Sequence, residues 1–389
     1  MAFGLIAYAL AVTSLEAGIP TPLYIVYQQQ FHFTDVLLTL VFAVYVGGVF
    51  ATLFLISPLS DSIGRKPILY AGLALTGLSA VAFIFATGVL GLVLARLLSG
   101  LSVGATTSTA SASLIDLEPH GDERHAARVS VSANMIGFAV GTTLSGFTAQ
   151  YLPDPLTLVF LVAVALSLVG ILAIALTPET ISSGPSGRRF HFQRIVIPPG
   201  LRTVFWVASG VVWTCYSIYG LFAALAPSYL KDELQVSSHL VAGLVVGELF
   251  AAAAIVQFVF YRWHGHRALR AGLRLMLGAV AIYLAALLLR SIPVFLTATL
   301  LLGIAFGLAF MGSLVVLDRN VPKKDRGEVI SGYYVAAYLS LSIPVIGVGL
   351  SAQSVGLTAA GVGFGTAILV LVLVILAAIG RSAKFQGSR

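Results

Sequence analysis

The sequence predicts an all-α membrane protein with twelve transmembrane helices in two pseudo-symmetric six-helix bundles. Three observations predict it. Hydrophobic residues make up 58% of the 389 and charged residues only 10%, against roughly 25% charged in a soluble domain, so the solvent of this chain must be lipid. Apolar runs of about 20 residues, the length that crosses a bilayer, recur twelve times along it. Finally, features of the first half return in the second at a nearly constant shift.

The spans are expected near 3–27, 36–56, 67–87, 89–115, 127–150, 155–177, 203–229, 238–261, 271–289, 293–316, 328–350 and 356–380. Helix 1 is apolar apart from Glu16. Helix 2 ends in a charged loop that runs through Asp61, Arg65 and Lys66 into helix 3. Helix 4 carries Arg96, and helix 5 is rich in small and polar residues such as Ser130, Ser132 and Asn134. Helix 6 is almost purely aliphatic, and a basic linker over 178–202 follows it. In the second half, helix 7 is lined with aromatic residues and helix 8 carries Glu248. The uncharged stretch 329–380 has to hold helices 11 and 12, with Ser351-Ala352-Gln353-Ser354 as the turn. The expected division is a first bundle over 1–177, the linker over 178–202, and a second bundle with a short tail over 203–389.

Charge sets the orientation. With both termini in the cytoplasm, nineteen of the 22 Lys and Arg residues fall in inner loops, linker and tail. Lys231 and Arg290 fall outside, and Arg96 lies within a helix. This is the positive-inside pattern, so the net charge of +7 marks topology rather than a nucleic-acid surface. No basic segment precedes the first apolar run, so no cleaved signal peptide is expected. One cysteine, Cys215, excludes an internal disulfide and a multi-cysteine metal site. The histidines have no metal-ligand spacing, and no phosphate-binding glycine loop is present. No cofactor is expected, and an ion gradient rather than ATP hydrolysis is the expected energy source.

The internal repeat is specific. Asp116, Asp122 and Arg124 after helix 4 return as Asp318, Lys324 and Arg326 after helix 10, a shift of 202 residues. Gly100 and Gly104 return as Gly303 and Gly307, and Gly64-Arg65-Lys66 returns as Gly265-His266-Arg267. Two six-helix halves inserted the same way, related by an axis along the membrane normal, account for this.

The motifs then give a resemblance. Leu59, Asp61, Gly64, Arg65 and Lys66 match the loop between helices 2 and 3 of major facilitator superfamily transporters, with Ser57 and Ser62 replacing a family glycine and arginine. Arg96-x-x-x-Gly100-x-x-x-Gly104 resembles the helix-4 motif of that family. Gly137-x-x-x-Gly141-Thr142-x-x-Ser145-Gly146 resembles its antiporter motif, with Thr142 in place of proline and Ser145 in place of a glycine. The resemblance implies the major facilitator fold, with helices 1, 4, 7 and 10 lining a central cavity and helices 3, 6, 9 and 12 facing lipid. It also implies a cytoplasmic gate of Asp61, Gly64, Arg65 and Lys66, with Arg65 reaching Asp116 or Glu118 and with Asp318 and Arg326 as a second copy. The plainer reading of Gly100, Gly104, Gly137, Gly141 and Gly146 is close helix packing, where small residues let backbones approach.

Three ionisable residues lie deep in the membrane: Glu16, Arg96 and Glu248. Charge there is costly and marks function by default. At about 1.5 Å per residue, Glu16 lies roughly 16 Å and Arg96 roughly 10 Å below the outer ends of their helices; with both helices lining the cavity, as the resemblance implies, a Glu16–Arg96 pair is sterically plausible. Either the pair pins helix 1 to helix 4, or Glu16 takes up and releases protons, with Glu248 as a second candidate. Two carboxylates against one arginine favour a neutral or cationic substrate. Tyr8, Tyr45, Trp213, Tyr333 and Tyr338, with Tyr216, Tyr219 and Tyr334, offer aromatic walls, and Asn134 a polar contact. The function expected is proton-coupled efflux of small amphipathic molecules by a monomer in the plasma (inner) membrane. The partners are a small-molecule substrate, protons and the lipid bilayer, with no nucleic acid, and the protein is not an enzyme. The alternatives are proton-linked uptake of a sugar or other metabolite, and a receptor or scaffold on a transporter fold.

Overall fold

The computed structural model describes residues 1–55, 63–181, 197–322 and 325–381, leaving aside the side chains of 53–55, 199, 326 and 327. Twelve helical spans follow one another: α1 Ala2–Phe31, α2 Asp35–Leu55, α3 Arg65–Ile84, α4 Val89–Leu117, α5 Glu123–Tyr151 and α6 Pro155–Ala175 in the first half. The second half holds α7 Arg202–Asp232, α8 His239–Val259, α9 Gly265–Leu289, α10 Ile292–Asn320, α11 Arg326–Val355 and α12 Leu357–Arg381. Among the described residues, eleven of them are long and apolar enough to cross a membrane. The exception is α5, which opens on the charged residues Glu123, Arg124 and Arg128 and buries Ser130, Ser132, Thr142, Ser145 and Thr148.

The chain divides into two compact units, Met1–Phe192 with Ser238–Gly247, and Gln193–Ser237 with Glu248–Arg389. Ser238–Gly247 was expected with the second bundle but groups with the first. The physical reason is local: a side chain on Gly243 would strike Gly146 and the Thr142 carbonyl of α5, and one on Gly247 would strike Thr143. The His239 amide also donates to Gln150 at 3.0 Å.

Within the first unit α1 packs on α4, α5 and α6, and α3 on α4 and α6. Within the second, α7 packs on α10, α11 and α12, and α9 on α10 and α12. The same pairings thus recur six helices later, as the sequence repeat requires. Glycines set the closest contacts. Gly100 and Gly104 lie on the backbone of Tyr45 and Val49 in α2, and Gly137 and Gly141 lie on Ala11 and Leu15 in α1. In the second unit Gly303 and Gly307 lie on Leu249 and Ala253 of α8, matching the α4–α2 contact.

Helix α1 is broken at Ile19 into Ala2–Gly18 and Pro20–Phe31. Pro20 has no N–H for the Glu16 carbonyl four residues back, which is what interrupts the ladder. The Ile19 carbonyl at the break accepts from Ser145 Oγ of α5 at 2.6 Å. Ser145 is the residue that departs from the antiporter motif, and here its hydroxyl ties α5 to the break in α1.

Candidate functional site

Just below that break, Glu16 is fully buried between α1, α3 and α4. Its Oε1 accepts from Ser79 Oγ at 2.7 Å and its Oε2 from Ser99 Oγ at 2.8 Å. Ser79 Oγ also lies 2.9 Å from the Ala95 carbonyl. That hydroxyl has one hydrogen for two acceptors, so an ionised Glu16 takes it while the Ala95 carbonyl, inside α4, keeps its helix amide. A protonated Glu16 can donate to Ser79, which then donates to Ala95.

Arg96 is buried one turn from Ser99 on α4. Its Nε donates to Tyr24 Oη at 2.5 Å and its Nη1 to the Ala17 carbonyl at 2.9 Å. Four rings surround the guanidinium, those of Tyr24, Phe42, Tyr45 and Phe83, with centroids 5.2, 5.9, 5.7 and 5.8 Å away. A desolvated cation gains about 2 kcal/mol or more from such a face. The expected Glu16–Arg96 pair is therefore corrected: no ion pair joins them among the described residues, because two serines occupy the carboxylate and a tyrosine and a carbonyl occupy the guanidinium. Tyr45 is likewise not a cavity wall, since it is buried against Arg96.

At the other end of these helices, Arg65 Nη1 pairs with Asp116 Oδ2 at 2.5 Å, the first of the two partners expected for it. Glu118 does something else. It accepts the amides of His120 and Asp122, each at 2.7 Å, and meets His125 Nδ1 at 3.0 Å. The Asp122 amide foremost, with His125 and His120, holds its carboxyl down at about 2. Asp122 in turn caps α5 by accepting from the amides of Arg124 and His125.

Glu179, just past α6, was not foreseen from sequence. Its Oε1 and Oε2 accept the amides of Arg65 and Lys66, both at 3.0 Å, which caps the start of α3. Lys66 Nζ reaches back to the carbonyls of Ala175 and Thr177 at 3.2 and 2.8 Å, which caps the end of α6. Gly64 has φ +100, and a Cβ there would lie 2.9 Å from the Glu179 carboxylate. Partial burial raises the Glu179 carboxyl, but the Arg65 and Lys66 amides outweigh it and leave it below the ordinary range. Asp61 and the side chain of Arg326 lie outside the described residues; Asp318 stands near the end of α10.

In the second unit Tyr216 of α7 gathers Tyr219, Phe306, Phe310 and Tyr338 at 5.8–6.2 Å. Tyr219 stands edge-on to Phe250 at 4.4 Å. Tyr334 stands edge-on to Tyr333 at 5.6 Å, and Tyr333 is buried with its hydroxyl on Ser313 at 2.8 Å. Tyr333 is thus packing, whereas Tyr216, Tyr219 and Tyr334 are half-buried, as is Asn134 on α5. Glu248 is half-buried on α8. Among the described residues no group of His, Cys, Asp and Glu is placed to hold a metal ion.

Comparison with known proteins agrees with this architecture. A family model described as Major Facilitator Superfamily matches residues 5–345. A protein of Rickettsia felis (strain ATCC VR-1525 / URRWXCal2) described as an uncharacterized transporter is 28% identical over 204 residues, covering 50% of this chain and 48% of that one. The chain therefore spans about half the length of that relative. Two solved structures of a bacterial homologue of the human lysosomal transporter Spinster share the fold. The inward-facing occupied form gives a TM-score of 0.73 at 14% identity, covering 99% of this chain and 98% of that one. The inward-facing unoccupied form gives 0.71 at 16%, covering 99% and 95%.

Proposed function

The chain belongs to the major facilitator superfamily, and from that premise we propose that it is a proton-coupled secondary transporter that exports small amphipathic molecules, neutral or cationic, by alternating access. The observation that carries this reading is Glu16: a carboxyl buried in a membrane bundle, held by two hydroxyls that serve its charged or its neutral form, with no ion pair to break first. Arg96 is the fixed positive charge beside it. One pH unit of gradient supplies about 1.4 kcal/mol per proton, and 100 mV adds about 2.3 kcal/mol per charge moved. A group that gains a proton on one side and loses it on the other converts that energy into directed transport.

The half-buried Tyr216, Tyr219 and Tyr334 supply aromatic faces for the substrate, with Asn134 as a polar contact, and rings of this kind favour flat or cationic molecules. Glu248 is a second proton candidate. Export rather than uptake rests on the antiporter-like face of α5 against α1. On the distribution of Lys and Arg we put both termini in the cytoplasm, and we read the protein as a monomer of the plasma (inner) membrane. Asp61, with Gly64, Arg65, Lys66 and Asp116, forms the cytoplasmic gate, and Asp318 and Arg326 its counterpart.

Reconstituted vesicles with an imposed pH gradient test the coupling. Glu16→Gln should lose gradient-driven accumulation of substrate while it stays folded and still exchanges labelled for unlabelled substrate. Wild-type accumulation by Glu16→Gln would move the proton site elsewhere.

A further inference from the structure

Three helices of the first unit place polar side chains in register. The upper layer is Glu16 of α1, Ser79 of α3 and Ser99 of α4. Three residues further toward the Asp116 end of α4, each helix places another: Thr13, Thr76 and Ser102. These six are buried, and the lower layer is joined by Thr76–Ser102 at 2.6 Å and Thr13–Thr76 at 3.3 Å. Helix α4 then continues the line alone, through Thr106, Thr109 and Ser113 to Asp116. The steps of three and four residues from Ser99 to Asp116 follow the 3.6 period, so one face of α4 is polar through the interior of the bundle.

Packing alone does not ask for this. Alanine or valine fills the same space, and leaving a buried hydroxyl unpaired costs about 1–3 kcal/mol. Among the described residues, Thr106 Oγ1 and Thr109 Oγ1 are buried and have no partner. Around them the bundle is apolar: Ile6, Leu10, Leu69, Leu73, Ala110 and Leu114 form one cluster. Of the charged and titratable groups, Arg96 lies one turn back along α4, Tyr24 two turns on along α1 and Tyr45 of α2 over the guanidinium, while toward the Asp116 end Tyr8 of α1 and Tyr70 of α3 pack against the apolar cluster, Tyr8 donating to the Leu166 carbonyl at 3.2 Å. The Arg65–Asp116 pair closes the far end.

We propose that this polar line is the relay through which Glu16 exchanges its proton with water at the Asp116 end, inside the bundle and apart from the route of the substrate. The proposal rests on the reading of Glu16 as the proton site. Each hydroxyl takes a proton on a lone pair and passes its own to the next oxygen. Water molecules bridge the steps of about 5 Å between turns. One proton leaves Glu16, one reaches the water beyond Asp116, and every hydroxyl ends as it began.

Infrared difference spectroscopy of the purified protein in membranes reads the step without any substrate. The Glu16 carboxyl band, assigned by its loss in Glu16→Gln, is followed after a pH jump and after transfer to heavy water. Thr76→Val with Ser102→Ala, and separately Thr106→Val with Thr109→Val, should slow its exchange roughly tenfold or more, while Thr76→Ser keeps the wild-type rate. Thr106→Val alone breaks no hydrogen bond of the structure and keeps the test open if the double variants fail to fold. Wild-type exchange rates in the valine variants would overturn the relay and leave Glu16 as the proton site. A wild-type Glu16 band that never responds to pH would overturn the reading of Glu16, and the relay with it.

Discussion

Arg96 reaches past Glu16 and donates to the carbonyl of Ala17, the next residue along α1, at 2.9 Å. Glu16 is held instead by Ser79 and Ser99. The two opposite charges thus share a dry compartment without sharing a bond. Breaking a buried ion pair by neutralising one partner costs about 3–5 kcal/mol, which would oppose any protonation of the carboxylate. With separate partners, Glu16 can change charge while Arg96 keeps its tyrosine and its carbonyl.

Replacing Arg96 should expose how much of its role is structural. Arg96→Lys keeps the charge but cannot serve Tyr24 Oη and Ala17 O in one plane, nor stack equally on the rings. We expect a loss of about 1–3 kcal/mol in the unfolding free energy of the purified protein, with transport impaired as well. An unchanged denaturation midpoint would show that the cage around Arg96 does not hold the bundle together.

The glycine contacts predict a sharp contrast. A Cβ at Gly141 would strike the Leu15 carbonyl, whereas one at Gly347 meets nothing within 4 Å. Gly141→Val should push α5 off α1 and cost about 1–3 kcal/mol or more. Gly347→Ala should be neutral or slightly stabilising, since alanine is the better helix former by about 1 kcal/mol. Yield of folded protein and thermal midpoint in detergent decide the matter.

The orientation makes a separate prediction. On a Cys215→Ala background, single cysteines at Gln29 and Gln353, both exposed, should react with an impermeant thiol reagent added to intact cells. One at His120, whose side chain is 87% exposed, should react only after permeabilisation. Labelling at position 120 in intact cells would invert every depth assigned to the helices.

Much of this was legible in the sequence, and the rest was hidden for identifiable reasons. The twelve spans, the repeat and the glycine faces follow from periodicity, which depends only on local chemistry. Glu16 and Arg96 stood out because charge in lipid is rare. Their partners did not: Ser79, Ser99 and Tyr24 are ordinary residues in membrane helices, and only the register of three helices brings them to the charges. A signal was present in the matching offsets of three residues from Glu16 to Thr13, Ser79 to Thr76 and Ser99 to Ser102. Glu179 was hidden because its partners are backbone amides 113 and 114 residues away, which no sequence pattern marks.

Glu118 organises the turn between α4 and α5, and its pH response follows from its contacts. The Asp122 amide, with His125 and His120, holds its carboxyl at about 2, below the unfolded value of about 4.3. A depressed carboxyl contributes stability above its unfolded value and loses it as pH falls through its folded value. The amides of His120 and Asp122 should therefore stay protected from hydrogen exchange at neutral pH and lose protection between about 4 and about 2. Glu118→Gln should lose part of that protection at neutral pH. Equal protection in wild type and variant would mean that the turn is held by the α5 cap on Asp122 alone.

Glu179 offers the last test, because it and Lys66 bracket two helix ends reciprocally. The carboxylate serves the first amides of α3, and the ammonium serves the Ala175 carbonyl at the end of α6 and that of Thr177 just past it. Loss of a helix cap costs about 0.5–2 kcal/mol. Glu179 is exposed, so solvent screening puts the charge part of its effect at the low end. Glu179→Ala should free the Arg65 and Lys66 amides to exchange and loosen the ends of α3 and α6, while Glu16 keeps its partners. Glu179→Gln, which keeps one acceptor, should fall between the two. The Glu179 carboxyl is also held below its ordinary range, so this cap is complete above about pH 4.3 and weakens as the pH falls below it. Exchange at the Arg65 and Lys66 amides that ignores both the substitution and acid would place the end of α3 under other control.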